Sequence, residues 1–266
     1  MRALSGFLHR EYANLRISRR KRRLIEQLSS HFGRPVSLRR AGARGRDSVF
    51  VVKDKRGSVG ALRLSNPHLR RNALRADMPF VVLGDAERLS REWHCFAVAG
   101  PAGITPSPLW RDSDALMCEF IAGPRLSDRL SQDPSSFWEL LARASRILGS
   151  LHALGITHMD ASLANTIDAG DGCRLIDFEY GPRVGLTLEQ QMAYDHLRLL
   201  ESSLKFMPHG ERDRVDSWLE VLHAVLPERA READTSPLVP AISRVLACQD
   251  LIHPLATVFP SMDQRI

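Results

Sequence analysis

An α+β chain in two parts, strand-rich first and helix-rich second, is predicted by three observations. Residues 34–64 hold three short β-branched or apolar runs separated by turn residues. Between Phe137 and Leu154 apolar residues recur at helical spacing, at Phe137, Leu140, Leu141, Ala144, Ile147, Leu148 and Leu151. From Leu188 to the end the pattern stays helical, with breaks near Pro208-His209-Gly210, Pro227 and Pro237–Pro240. The chain has 266 residues, 44% hydrophobic, 26% charged and 6% aromatic. That mix excludes a disordered tail, a collagen-like fibre and a low-complexity array, and the length suffices for a sizeable core.

Taken in order, Val36-Ser37-Leu38 reads as a short strand and Ala41 to Ser48 as a small-residue turn. Val49-Phe50-Val51-Val52 is a second strand, Asp54-Lys55-Arg56-Gly57-Ser58 a polar turn, and Val59 to Leu64 a third strand. Residues 65–84 are basic and show no period, so they are expected to be irregular. Asp85 to Val98 reads as a helix capped by Asp85, with Leu89, Trp93 and Phe96 on its apolar face. Pro101, Pro106 and Pro108 then break the chain. Ala115 to Ile121 reads as a buried strand ended by Ala122-Gly123-Pro124, and Thr157 to Asp177 as loop and short strand.

The net charge of +6 is uneven. Residues 1–46 hold 13 basic and 2 acidic residues, a balance of +11 against −5 for the rest. The excess peaks at Arg19-Arg20-Lys21-Arg22-Arg23, accompanied at roughly helical spacing by Leu15, Ile17, Leu24, Ile25 and Leu28. Such a segment suits an anionic membrane surface or phosphate groups, or else a solvated helix packed on the body. Nucleic acid is not an expected partner, because no recognition module accompanies the charge. The four cysteines (Cys95, Cys118, Cys173, Cys248) are scattered, which fits reduced thiols rather than disulfides or a zinc site. No apolar run reaches the ~18 residues of a membrane span. The opening Met-Arg-Ala-Leu-Ser-Gly-Phe-Leu-His-Arg lacks a long apolar stretch, so a cytoplasmic location is expected.

The residues with chemistry cluster at Gly155-Ile156-Thr157-His158-Met159-Asp160-Ala161-Ser162-Leu163-Ala164-Asn165, followed by Cys173-Arg174-Leu175-Ile176-Asp177-Phe178-Glu179. A His, an Asp two later and an Asn five beyond it follow a long helix; an apolar strand then ends in a second Asp. Phosphoryl transfer asks for such a set. One carboxylate orients or accepts the acceptor hydroxyl's proton, while an amide oxygen and a second carboxylate hold Mg²⁺.

This ordered set resembles the catalytic loop and metal-binding turn of the protein-kinase-like superfamily. The match is nearer its small-molecule branch, the aminoglycoside, choline and lipopolysaccharide core sugar kinases, than the eukaryotic protein kinases. The resemblance implies a two-lobed fold and an ATP- and Mg²⁺-dependent kinase. It assigns Asp160 as catalytic base, His158 as loop brace, and Asn165 and Asp177 as metal ligands. It further implies Gly42 and Gly45 as phosphate-contacting glycines, Glu92 as partner of a phosphate-binding cation, and Met117 to Gly123, with Glu119 and Ile121, as the adenine-holding linker. Asp195 resembles the helix Asp that supports the catalytic loop; its other reading is an exposed helix acid. The resemblance covers about residues 36–205. The domains expected are a basic helical extension over 1–33, a nucleotide-binding lobe over 34–123 and a helical lobe with catalytic loop and acceptor site over 124–266.

One departure stands out. The family has Lys where this chain has Arg63, in Ala61-Leu62-Arg63-Leu64, and the two cations are not interchangeable. Either Arg63 binds phosphate, Lys53 substitutes, or nucleotide binding is impaired. The acceptor implied is a small molecule or glycolipid sugar, with the lipopolysaccharide core first, reached at the inner face of a membrane. Met159 stands where protein kinases carry Arg, and no Ala-Pro-Glu follows Asp177, which turns the expectation away from a protein Ser/Thr kinase. An inactive binding protein of the same fold is the alternative that Arg63 raises, and a nucleic-acid binder using residues 10–46 ranks last.

Overall fold

The computed structural model describes residues 12–13, 15–44, 47–69, 76–208 and 214–265. Gly45, one of the expected phosphate contacts, lies outside them. In chain order the principal elements are α1 (Ser18–Phe32), β1 (Ser37–Arg44), β2 (Asp47–Asp54), β3 (Gly57–Ser65), β4 (Phe80–Val82) and α2 (Asp85–Ala99). There follow β5 (Pro108–Arg111), β6 (Ala115–Cys118), α3 (Leu126–Gln132), α4 (Phe137–His152), β7 (Thr166–Asp168), β8 (Cys173–Leu175) and β9 (Tyr180–Pro182). The last are α5 (Leu188–Ser203), α6 (Asp216–Val225) and α7 (Gln249–Ala256), with short helical turns between them. The class is α+β, as the sequence indicates. The chain divides into two units, residues 1–73 with 107–120 and residues 74–106 with 121–266.

The first unit is an antiparallel sheet of order β1-β2-β3-β6-β5 covered by α1. β2 explains the pairing: Phe50, Val51 and Val52 are β-branched or aromatic and buried, and they align with Leu62, Ala61 and Gly60 of β3. α1 lays Leu24 and Leu28 into the core formed by Val36, Phe50, Val52, Leu62, Leu64 and Met117. Each such burial contributes about 1.5–3 kcal/mol before entropy is subtracted. The Arg20 guanidinium fastens the helix, reaching Asp114 at 2.9 Å and Asp112 at 2.7 Å.

Three expectations are corrected here. The run Ala41 to Arg44, read as a turn, continues β1: Gly42 pairs with Val49 beyond a register shift after Arg40. Small residues accept an extended backbone when a strong strand former offers the ladder. Pro108, read as a breaker, opens β5, an edge strand, where a missing N–H is tolerated. The nominally irregular stretch 65–84 contains β4, whose partner β9 lies a hundred residues on and therefore leaves no local signal.

The second unit is mostly helical. α4 buries Phe137, Leu140, Leu141, Ala144, Leu148 and Leu151 of the face its spacing indicates and Trp138 besides, and leaves Ile147 half-buried. Trp218 of α6 packs on Trp138 with ring centroids 6.0 Å apart and donates its indole N–H to Ser145 Oγ at 2.9 Å. α2 starts one residue earlier than a cap at Asp85 requires. Gly84 is its N-cap, and the Glu87 carboxylate accepts the Gly84 N–H at 3.1 Å, leaving Asp85 in the first turn to face the helix dipole. Gly123 is needed where it stands, because its φ is +149° and a Cβ there would collide with the Asp168 carbonyl oxygen. Asp168 in turn is gripped by Arg129 at 2.7 Å and Arg143 at 2.9 Å, tying the β7–β8 hairpin to α3 and α4. Cys95, Cys118 and Cys173 are buried free thiols and Cys248 is half-buried, as their scatter indicates. No helix among the described residues is long and apolar enough to cross a membrane.

Candidate active site

The catalytic residues expected from sequence converge in the second unit. α4 ends at His152, Gly155 turns the chain with φ +71°, and the loop Ile156 to Ser162 follows. Met159 sits at φ 65°, a conformation that costs a non-glycine residue about 1–3 kcal/mol. The fully buried Asp195 carboxylate of α5 holds it there. It accepts the His158 N–H at 2.6 Å, the Met159 N–H at 2.7 Å and a bond from His152 Nε2 at 3.0 Å. Burial alone would raise this carboxyl. The His152 bond and charge, with His158, outweigh burial and hold it below the usual carboxylate range. The exposed-acid reading of Asp195 is therefore set aside in favour of the supporting one. From the α2 side, Arg91 Nη2 donates to the Thr157 carbonyl at 2.7 Å, and Thr157 Oγ1 donates to Gln191 at 2.9 Å.

His158 links the loop to the second carboxylate. Its Nδ1 accepts the Asp160 N–H at 3.3 Å and its Nε2 donates to the Ile176 carbonyl at 3.0 Å, a pattern that fits the Nε2–H tautomer. Its ring stacks on Phe178 at 4.5 Å, and Phe178 meets Phe96 of α2 edge-on at 6.0 Å. The Ile176 N–H donates to the Asn165 carbonyl at 3.0 Å, so both backbone polar groups of Ile176 are held. Asp177, next along, is buried at φ 75°. A second strained non-glycine residue in one site marks a position fixed by its surroundings.

Both oxygens of the Asp160 carboxylate are engaged. Arg198 Nη2 donates to Oδ1 at 3.0 Å, and Asn165 Nδ2 donates to Oδ2 at 3.3 Å and to the Asp160 carbonyl at 3.0 Å. Burial pushes the Asp160 carboxyl above its ordinary value; Arg198 and His158 oppose the shift, and nearby Asp177 adds to it. Arg198 carries no local signal of this contact. Its role needs α5 folded against the loop, 38 positions away in sequence.

A cavity of about 440 Å³ opens beside Asp160, lined by Phe80, Tyr180, Tyr194, Arg198, Glu201 and Arg244 among others. Its size is that of small-molecule sites. Aromatic rings meet charged groups across it, a lining suited to a ligand with both an apolar face and polar edges. Glu201 fixes Arg244, accepting its Nε–H at 2.8 Å and the Val245 N–H at 2.9 Å.

The nucleotide-contact residues expected from the resemblance fall otherwise. In the first unit, Arg63 Nη1 donates to Asp47 at 3.1 Å, an ion pair with Asp47 only 1% exposed. Lys53 is not brought beside Arg63. Val49 is the partner of Arg63 across the ladder, and Lys53 stands four residues further along β2, about 13 Å at the rise of a strand. Gly42 is in β1, and the Glu119 N–H donates to the Ser107 carbonyl at 2.8 Å. In the second unit, Glu92 is buried on the inner face of α2, and Ile121 is half-buried just after the sheet strand.

The donor set fits Mg²⁺. Asp177 and Asn165 offer hard carboxylate and amide oxygens, and no group of three or more His, Cys, Asp or Glu that could hold a metal occurs among the described residues.

His196, beside Asp195 on α5, is fully buried, meets His152 edge-on at 5.3 Å, and has no hydrogen-bond partner for either ring nitrogen among the described residues. Burial pulls it down to about 3. Between that value and the ~6.5 of an unfolded chain, only the unfolded state binds the proton. Its contribution is thus complete above about pH 6.5 and is lost as pH falls, at a limiting ~1.4 kcal/mol per pH unit. Urea midpoints measured from pH 7 to 5 should fall in the parent protein and fall less in His196→Leu. Parallel slopes would assign the acid sensitivity to another group.

No family model matches the sequence, and no curated protein matches it. Solved structures do show likeness. A Mycobacterium tuberculosis PknI kinase domain aligns with a TM-score of 0.44 and 16% identity, over 79% of this chain and 94% of that one. A choline/ethanolamine kinase family protein from Mesorhizobium loti aligns with a TM-score of 0.48 and 14% identity, over 84% of this chain and 92% of that one.

Proposed function

We propose that the protein is an ATP- and Mg²⁺-dependent phosphotransferase acting on a hydroxyl of a small molecule or glycolipid sugar, with a lipopolysaccharide core sugar as the leading acceptor. The observation that carries this reading is the Asp160 carboxylate. It is oriented at both oxygens by Arg198 and Asn165, lies close to the fixed Asp177, and faces a cavity of small-molecule size. In this reading Asp160 receives or orients the acceptor hydroxyl's proton. Asn165 and Asp177 hold Mg²⁺, which neutralises phosphate charge when bound. His158 and Asp195 keep the loop in register. The cavity wall of Phe80, Tyr180 and Tyr194 takes the apolar face of the acceptor, and Arg198 and Arg244 take its oxygens. The sheet residues Gly42 and Arg63, with Gly45, Glu92, Glu119 and Ile121, stay with the proposal as nucleotide contacts. Lys53 is the weakest of the set because of its place in β2. A cytoplasmic location at the inner face of a membrane belongs to the same proposal.

One observation favours a second reading. The Arg63 guanidinium is drawn to Asp47 within its own sheet, which supports a nucleotide-free binding protein. Thermal melting separates the two. With Mg²⁺ and ATP at ~100 times the dissociation constant, the gain is about 2.7 kcal/mol, or roughly 5–10 °C for a chain of this size. The shift should require Mg²⁺ and vanish in Asp177→Ala. No shift in the parent protein would favour the second reading.

A further inference from the structure

One side of α1 is committed to the sheet unit: Leu24 and Leu28 are fully buried, Lys21 sits over the Phe50 ring at 5.3 Å, and Arg20 bridges Asp112 and Asp114. The opposite side carries Arg19, Arg22, Arg23 and Glu26, all exposed and spaced three to four residues apart. Just before it, in helical backbone that turns at Ile17, Tyr12, Leu15 and Arg16 are exposed as well. Tyr12 is 56% and Leu15 71% exposed, the latter a large apolar side chain left in water. None of Arg16, Arg19, Arg22 and Arg23 makes an ion pair among the described residues, and Glu26 is the one acid of α1.

We propose that this face, Tyr12, Leu15, Arg16, Arg19, Arg22 and Arg23, docks on an anionic lipid bilayer surface. Charge complementarity selects the partner class, since four guanidiniums without an ion pair among the described residues answer lipid phosphates at a surface of negative potential. The exposed Leu15 and Tyr12 select a bilayer over a purely polar polyanion. An apolar side chain and an amphipathic ring gain by entering the headgroup boundary, whereas a phosphate backbone offers them nothing comparable. Arg20, by contrast, is taken by two carboxylates and is excluded from the face. The inference does not depend on phosphotransfer, because every residue it uses lies in the first unit and none belongs to the candidate active site.

Flotation of the full chain with phosphatidylcholine vesicles, with and without phosphatidylglycerol and without nucleotide, tests it. Binding should need phosphatidylglycerol and weaken as salt rises. Replacing Arg16, Arg19, Arg22 and Arg23 together by Gln should reduce it on the order of fivefold per arginine, several-hundredfold in all. Leu15→Ser with Tyr12→Ser should reduce it roughly tenfold with the charges intact. All six side chains are exposed, so the variants should melt with the parent protein. Binding that is absent, indifferent to phosphatidylglycerol, or unchanged in the arginine variant overturns the proposal. So does binding insensitive to Leu15 and Tyr12 and fully competed by duplex DNA, which would mark a general polyanion surface instead.

Discussion

Asp195→Ala should destabilise the protein by on the order of 3–5 kcal/mol and abolish turnover. The carboxylate is fully buried and satisfies three donors, the His158 and Met159 amides and His152 Nε2. Removing it strands those donors in a dry interior, at about 1–3 kcal/mol each for the buried groups. It also releases Met159 from φ 65°, a conformation that has no support of its own. At the size of this chain the loss corresponds to a melting temperature lower by roughly 10 °C. Asp195→Asn should fall between, because its amide retains one acceptor oxygen and loses the other. Urea denaturation of the three proteins measures the effect. An Ala variant as stable as the parent would mean that the loop holds its shape without α5.

Asp160→Asn should lower phosphotransfer by about 10²–10⁴-fold, the range of a general base, with little change in Mg-ATP binding. The amide keeps the shape and can still accept from Asn165, but it cannot take a proton. Arg198 then loses its charged partner, but burial already disfavours the Asp160 charge, so little loss of stability should accompany the substitution. Turnover and melting measured on the same samples separate the two effects. Full turnover in Asp160→Asn would remove Asp160 from the chemistry and leave the cavity beside it without a catalytic base.

The two results bear on different depths of the site. In the proposed reaction Asp160 acts on the reacting atoms. Asp195 acts through the backbone that carries Asp160. The same helix delivers both controls, since Asp195 and Arg198 are one turn apart and reach the loop backbone and the loop carboxylate respectively.

His158, Asp160, Asn165 and Asp177 were legible from spacing because they lie within twenty residues and the elements between them are short. Glu92 and Asp195 could be singled out, but only burial distinguishes a supporting carboxylate from an exposed one. His152 and Arg91 carried no signal. Each is an ordinary polar residue on a helix until the chain folds and brings it to Asp195 or to the Thr157 carbonyl. Lys53 shows what sequence neighbourhood leaves out: it stands four residues along β2 from Val49, the strand partner of Arg63, a separation set by the register of the sheet.

Periodicity by itself determined α1, α2, α4, α5 and the central strands β2, β3 and β6, because a helix face or a buried strand is written within a few residues. It also determined the order of the candidate catalytic groups. The tertiary structure decided the strand character of Gly42, the existence of β4 and β5, the Arg198 clamp and the cavity beside Asp160. Those features depend on partners distant in the chain, and their stability comes from burial and hydrogen bonds that exist only once the elements are packed.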